Sequence, residues 1–345
     1  GDYAHQLHID TILDQLETIA TGTPVGQTVH LITPSDSYPS VLTELQRRLG
    51  DVSHTPGGTL WDATDEDIEA AAVAAAQSDV AVLVLGERSG LTDDAISGEA
   101  RDRMDIGLPG RQQDLLEAVV ATGTPVVLVI IAGRPLSIPW AQEHCAAIVH
   151  AWVPGERGGE AIVDVLTGAF NPGGKLPITV PRHSGQIPAY YSHRPTGGHS
   201  NWKIEYQDGS NLPLWPFGHG RSYSTFEVSD LRLSTIKIPA DGEVEVSATV
   251  SNLGSVAGDE VVQLYVRDVA ASLTRPVKEL RGFARVTLEP GERRTVTFTL
   301  AAEQLAFVDV PGRWLVEPGE FRLMVGTSSV DLPLEASLMV GGTAR

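Results

Sequence analysis

The sequence predicts two dissimilar halves: an α/β three-layer sandwich with a mostly parallel sheet, followed by an all-β sandwich. Three observations carry this. Short, continuous apolar runs rich in β-branched residues punctuate the first half, with helical periodicities between them. From about residue 226 the pattern changes to alternation, with turn signals between the alternating stretches. A length of 345 residues also exceeds what one ordinary domain needs.

The first half reads as strands and helices in turn. Val80–Leu85, Val126–Ile131 and Ala146–Val149 are short apolar runs bounded by Gly, Pro or polar residues. That is the texture of parallel strands buried on both faces. Asp65-Glu66-Asp67 opens an Ala-rich helical segment to Gln77, with acidic residues where the helix dipole favours them. Gln112 to Ala121 places Leu115, Leu116, Val119 and Val120 on one face, and Glu160 to Leu166 does the same with Ile162, Val163 and Leu166. This alternation puts strands in a central layer and helices outside, over residues 1–183.

Residues 184–224 are rich in Pro, Gly, Ser, His and Tyr and keep no period. Trp202, Tyr206, Trp215 and Phe217 imply an ordered linker rather than a loose tether. In residues 225–345, Val244–Val250, Val261–Val266, Leu280–Leu288, Arg294–Leu300 and Gly319–Val325 are strand candidates. Asn252-Leu-Gly254, Pro290-Gly291 and Pro318-Gly319 are the turns between them. With Cys145 the lone cysteine, no disulfide of the immunoglobulin kind can form, so a fibronectin type III-like sandwich fits.

Composition removes several function classes. The hydrophobic fraction is 42% and the charged fraction 20%, ordinary for a globular chain. Asp and Glu number 44 against 25 Lys and Arg, a net charge of -19. Such a surface repels phosphate backbones and anionic lipid headgroups, so neither nucleic acid nor a membrane is an expected partner. It accommodates a neutral ligand such as a sugar. No apolar run approaches the length of a membrane-spanning helix. Cys145 sits in an apolar run and reads as a small core residue rather than a nucleophile.

Parallel sheets carry function in the loops after their strands. The loop after Val80–Leu85 runs from Gly86 to Gly110 and is dense in carboxylates: Glu87, Asp93, Asp94, Glu99, Asp102 and Asp105. Loops of this length are functional sites or solvated surface, and composition alone does not choose between them. Glu87 directly follows the strand and is a candidate acid in its own right.

Within this loop, Ser97-Gly-Glu-Ala-Arg-Asp-Arg103 followed by Leu108-Pro-Gly-Arg-Gln112 resembles the acid/base loop of glycoside hydrolase family 3. Further stretches agree in order. Pro154 to Gly159, Asp164 to Gly168 and Asn171 to Pro177 resemble the family's last α/β segment. Pro213 to Phe226 resembles the bridge into its β-sandwich, and Asp259 to Tyr265 with Lys278 to Phe283 resemble that sandwich's core strands. The resemblance spans about residues 49 to 326.

The resemblance implies a retaining, exo-acting β-glycosidase, a β-glucosidase first of all, that cleaves terminal non-reducing β-linked sugars by double displacement. It makes Glu99 the general acid/base and Glu87 the fallback. Asp102 and Arg103 are implied to anchor the loop or border the substrate. In the family an aspartate nucleophile comes from a (β/α)8 barrel, usually in a Ser-Asp-Trp context. Ser35-Asp36, Ser78-Asp79 and Ser229-Asp230 do not precede Trp, and the chain lacks room and pattern for eight βα units. The expectation is therefore an enzyme active only together with a barrel, in one longer chain or as a partner chain. An unpaired sheet edge at the start of the chain is expected to make 345 residues alone aggregate or seek a partner; a homodimer is also open. No cofactor is expected.

Other residues carry weaker signals. His5 and His8, with Asp10 after them, have metal-like spacing but no evident third ligand, so no metal site is expected. Arg157-Gly-Gly159 ahead of a helix has the form of an anion site, although close packing of helix on sheet explains the glycines as well. Tyr190, Tyr191, Trp202 and Tyr206 have the faces that sugar sites use, yet wedging the sandwich in place is the simpler role. A non-catalytic carbohydrate-binding or adhesion module is the competing function. A self-contained hydrolase would need a Gly-x-Ser-x-Gly elbow and a dinucleotide enzyme a Gly-x-Gly-x-x-Gly after a strand; neither occurs.

Overall fold

The computed structural model describes residues 38–90, 95–98, 101–195 and 206–342. The chain divides into two compact units, one of residues 1–170 and 182–185, the other of 171–181 and 186–345.

In the first unit the described elements are α1 (Val41–Leu49), α2 (Asp65–Ala76), β1 (Ala81–Gly86), α3 (Gln112–Val120), β2 (Val126–Ile131), α4 (Pro139–His144), β3 (Ala147–Trp152) and α5 (Gly158–Leu166). The strands form a parallel sheet in the order β1-β2-β3, as the apolar runs predict. Burial on both faces holds fully only for β2, where Val126, Leu128, Val129 and Ile130 are buried. β1 is half-buried, and Val84 is exposed. The difference follows from position, because among the described strands only β2 has a neighbour on each side.

Two of the described helices, α1 and α2, begin at a side-chain cap. Thr64 caps α2 through a reciprocal box: its hydroxyl accepts from the Asp67 N–H at 3.1 Å, and the Asp67 carboxylate accepts from the Thr64 N–H at 2.9 Å. Ser40 caps α1 without the reciprocal bond, its hydroxyl accepting from the Thr43 N–H at 3.1 Å. α1 and α5 share a core with β2 through Val41, Leu45, Val129, Ile162 and Val163. The close approach at the Arg157-Gly-Gly159 motif is to the entry of α1 rather than to the sheet, since a Cβ on Gly159 would lie 2.0 Å from the Pro39 carbonyl oxygen. Arg157 itself pairs with Glu160 and is largely exposed.

The second unit contains β4 (Phe226–Leu233), β5 (Lys237–Pro239), β6 (Glu243–Asn252), β7 (Gly258–Asp268), β8 (Glu279–Leu288), β9 (Arg293–Ala301), β10 (Phe307–Val308), β11 (Trp314–Leu315), β12 (Gly319–Gly326) and β13 (Leu334–Gly341). One sheet runs β4-β6-β9 and the other β5-β13-β12-β7-β8, all antiparallel except the β5/β13 pair; β10 and β11 make a separate hairpin. Alternation turns one row of β6 inward, Val244, Val246, Ala248 and Val250, against Val262, Leu264, Leu323 and Leu338 of the facing sheet. The Asn252-Leu-Gly254 turn is built on a fully buried amide. Asn252 Nδ2 donates to the Val256 and Leu288 carbonyls at 2.9 and 3.0 Å, and its Oδ1 accepts from the Gly254 N–H and the Ser224 hydroxyl.

Two of the sequence motifs meet in this unit. Asn171 Oδ1 accepts from Ser222 Oγ and the Tyr223 N–H, both at 2.8 Å, and its Nδ2 donates to the Ala257 carbonyl. Lys175 pairs with the buried Glu260 at 2.7 Å. Leu176 and Val180 exchange backbone hydrogen bonds with residues 214–219.

Candidate active site

The long loop leaves the sheet at Gly86. A Cβ there would fall 2.1 Å from the Ile131 carbonyl oxygen, and φ is +137°, so a glycine is required where the chain turns out of β1 beside β2. The buried Gln112 side chain closes the other end. Its Oε1 accepts from the Gly86 N–H at 2.8 Å, while its Nε2 donates to the Gly86 and Leu60 carbonyls at 2.9 and 3.3 Å. Arg111 reaches back to the Ala63 carbonyl and Asp65, both within 2.9 Å. The Leu108–Gln112 motif thus ties the end of the loop to its beginning.

Between these ends lies an ion cluster centred on Glu87, whose side chain is fully buried. Arg134 grips both carboxylate oxygens, Nη2 to Oε1 at 2.7 Å and Nε to Oε2 at 2.9 Å. Arg103 Nη1 donates to the same Oε1 at 3.3 Å, and Ser97 Oγ stands 3.5 Å from Oε2. The two arginines then gather the loop's own backbone. Arg134 donates to the carbonyls of Arg103 and Asp105, each at 3.0 Å, and Arg103 donates to that of Gly107 at 3.1 Å. Asp102 Oδ1 accepts from Arg134 at 2.9 Å and from the Arg103 N–H at 2.8 Å. The hydrogen bonds to Glu87 hold the Arg134 guanidinium above its ordinary value despite burial. The Arg103 guanidinium also lies 5.9 Å from the centre of the Trp61 ring.

The structure thus brings Glu87, Asp102 and Arg103 into one network. Arg134 at its centre is the residue that sequence reasoning missed. Its signal was present: Arg134 lies in the loop that leaves β2, three residues past Ile131, as Glu87 lies in the loop that leaves β1. Glu99 lies outside the described residues, as do His5, His8, Asp10 and Trp202. On either side of Glu99 the chain is paired: Gly98 and Arg101 exchange backbone hydrogen bonds at 3.1 and 3.3 Å, and Gly90 donates to the Ser97 carbonyl at 2.9 Å. Ala95 and Ile96 are buried beside these pairings.

What the cluster can do chemically follows from its saturation. Both Glu87 oxygens accept from guanidinium or hydroxyl donors, and the side chain is fully buried. It is the buried counter-ion of Arg134 and Arg103, whose other donors bind the loop's carbonyls. Towards the end of β3, the His150 and Trp152 rings lie 4.1 Å apart at a 45° tilt; both His150 ring nitrogens are buried without a partner, and burial drives its pKa down to about 4. Trp152 has φ of +53°, a strained conformation for a bulky residue at the functional end of a sheet. Burial pushes the Cys145 thiol up, away from nucleophilic use. Among the described residues no group of three His, Cys, Asp or Glu is placed to hold a metal ion, and no helix is long and apolar enough to cross a membrane.

Comparison with known proteins adds identity to this geometry. The profile of the Glycosyl hydrolase family 3 C-terminal domain matches residues 1–223, and that of the Fibronectin type III-like domain matches residues 260–329. A periplasmic β-glucosidase of Salmonella typhimurium is 46% identical over 268 residues, covering 76% of this chain and 34% of that protein. A β-xylosidase of Formosa agariphila is 42% identical over 295 residues, covering 85% of this chain and 40% of that protein. The chain therefore spans between a third and two-fifths of the length of these relatives. Among solved structures, the β-glucosidase of Listeria innocua in complex with isofagomine superposes with a TM-score of 0.82 at 36% identity, over 90% of this chain and 43% of that one. The same enzyme, as a mutant, has been solved in complex with laminaribiose. The loop, the two units and the matching profiles agree: the chain belongs to glycoside hydrolase family 3.

Proposed function

We propose that this chain supplies the general acid/base of a retaining, exo-acting β-glycosidase, a β-glucosidase in the first instance, and that Glu99 is that residue. The observation that carries the reading is the loop holding Glu99, whose flanks are locked to the sheet by the Glu87–Arg134–Arg103 cluster. A general acid must be held within hydrogen-bond reach of the leaving oxygen, and a stem fixed by buried ion pairs gives such a group a defined place.

In the first step Glu99 protonates the glycosidic oxygen as the C1–O bond breaks, and a carboxylate nucleophile forms a glycosyl ester. In the second, the Glu99 carboxylate takes a proton from water, whose oxygen attacks C1 and releases the nucleophile. Retention requires the two carboxyl groups to lie roughly 5–5.5 Å apart. We assign the nucleophile to an aspartate of a barrel encoded outside these 345 residues, in keeping with the longer relatives. Glu87, Asp102 and Arg103 are anchors in this scheme, since Glu87 pairs with Arg134 and Arg103, and Asp102 with Arg134.

The test is Glu99→Ala in the intact enzyme. Cleavage of glycosides with poor leaving groups should fall far more than that of activated aryl glycosides, since only the former need protonation. Azide should restore turnover, yielding a glycosyl azide of retained configuration. Equal losses on both substrate classes would remove Glu99 from the acid/base role.

A further inference from the structure

Resting on the reading of Glu99 as the general acid/base, we infer that Gln112 is a positioning residue of its loop. The Gln112 side-chain amide sets the direction in which the loop leaves the sheet.

A strand residue turns its own N–H and C=O towards the same edge. At Gly86 that edge is the one away from β2, because the bond to β2 is made by the next residue, whose N–H donates to the Ile131 carbonyl at 2.8 Å. Gln112 stands on that edge in place of a strand. Its Oε1 accepts from the Gly86 N–H at 2.8 Å and its Nε2 donates to the Gly86 carbonyl at 2.9 Å, the two bonds that an adjacent strand would make. Both bonds are buried, so the two backbone groups depend on this amide for their partners. Glutamine suits the task. Asparagine is one carbon shorter, and an ionised glutamate has no proton to donate.

Gln112 also closes a ring of contacts around the stem. Its Nε2 donates a further bond to the Leu60 carbonyl at 3.3 Å. The next residue, Trp61, has its ring centre 5.9 Å from the Arg103 guanidinium. Arg103 donates to Glu87 at 3.3 Å, and Glu87 follows Gly86 in the chain. The circuit therefore runs from Gly86 through Gln112, Leu60, Trp61, Arg103 and Glu87 back to its start. Gly110 is pressed against the same turn, where a Cβ would fall 2.2 Å from the Trp61 carbonyl oxygen. Gln112 is itself held from behind, since it opens α3, whose Leu115, Leu116 and Val119 are buried. A ring fastened to a packed helix keeps both branches of the stem at one spacing. Cutting it at Gln112 frees the branch that begins at Gly86.

The test uses the intact enzyme and compares kcat on an unactivated alkyl glucoside with kcat on an activated aryl glucoside, well below each variant's melting temperature. Gln112→Met keeps the length of the side chain and removes its three hydrogen bonds. It should slow the unactivated substrate about ten- to a hundredfold, and the activated one much less. Gln112→Glu should regain most of that loss, because a buried carboxyl facing a carbonyl stays protonated and then offers one donor and one acceptor. Gln112→Asn, too short to span the gap, supplies the same readout should the methionine variant not fold. A residue that only stabilised the fold would lower the melting temperature and leave the ratio of the two rates as in wild type. An unchanged ratio, or an equal fall on both substrates, overturns the inference. Glu99→Ala measured alongside separates the two readings. If it too keeps the wild-type ratio, the acid/base assignment has failed and the role of Gln112 falls with it. If it alters the ratio and the Gln112 variants do not, only the role of Gln112 is lost.

Discussion

Replacing Arg134 by alanine removes the residue on which the loop stem is assembled. The guanidinium makes five hydrogen bonds, two to Glu87 and one each to Asp102, the Arg103 carbonyl and the Asp105 carbonyl. Without it, the buried Glu87 carboxylate keeps only Arg103 at 3.3 Å and Ser97 at 3.5 Å. Stripping one partner from a buried ion pair costs about 3–5 kcal/mol, and the surviving Arg103 contact places this case near 3 kcal/mol. For a unit of this size that corresponds to a fall of roughly 6–12 °C in melting temperature. Calorimetry of the intact protein measures it. A stem that shifts by an ångström should also slow protonation-dependent cleavage about a hundredfold. Activated aryl glycosides should suffer much less. Arg134→Lys should recover little, because an ammonium cannot reproduce the fork that spans both Glu87 oxygens. The clamp reasoning is refuted by an Arg134→Ala protein that melts within about 2 °C of wild type and retains its kcat on unactivated glycosides.

Three other perturbations have defined outcomes. Gly86→Ala should destabilise the first unit by several kcal/mol, of order 3, because its Cβ would sit 2.1 Å from the Ile131 carbonyl at a φ reserved for glycine; an unchanged denaturant midpoint contradicts this. His150 ionises at about 4 when folded against 6.5 ordinarily, so the unfolded chain takes up its proton first. Its contribution is therefore complete above pH about 6.5 and lost as pH falls towards about 4, at most about 3 kcal/mol. His150→Phe should flatten the fall in melting temperature between pH 7 and 4, and an unaltered slope counts against the assignment. Asn252→Ala orphans the Val256 and Leu288 carbonyls and the Gly254 N–H at a fully buried site. It should cost about 3 kcal/mol, read as a lower urea midpoint for the second unit.

Elements that depend on local pattern were legible in the sequence. The alternation of Val244, Val246, Ala248 and Val250 specifies one inward row of β6, and the run from Val126 to Ile131 specifies the buried strand of the parallel sheet. β5, β10 and β11 were not legible, because two or three residues cannot display a period. The site divides in the same way. Position after a strand and motif resemblance pointed to the loop. The partnership of Glu87 with Arg134 joins residues 47 apart, and nothing in either local sequence encodes it. Local sequence places Glu87 after a strand; only the fold shows the two arginines that it pairs with.

The return path of the chain has a practical consequence. Residues 171–181 belong with the second unit, 182–185 with the first, and the chain then goes back to the second. The two units are therefore stitched by three covalent crossings rather than hinged at one. A protease that nicks near Gly185 severs one crossing and leaves the two fragments held by the residues 171–181 packed along 214–219. An excised sandwich that starts at residue 186 would lack Asn171 and Lys175, leaving the buried Glu260 without its cation. Anyone dividing this protein for expression should begin the second piece at Asn171, and should expect Asn171-Pro-Gly-Gly-Lys-Leu-Pro177 to travel with it as a strap.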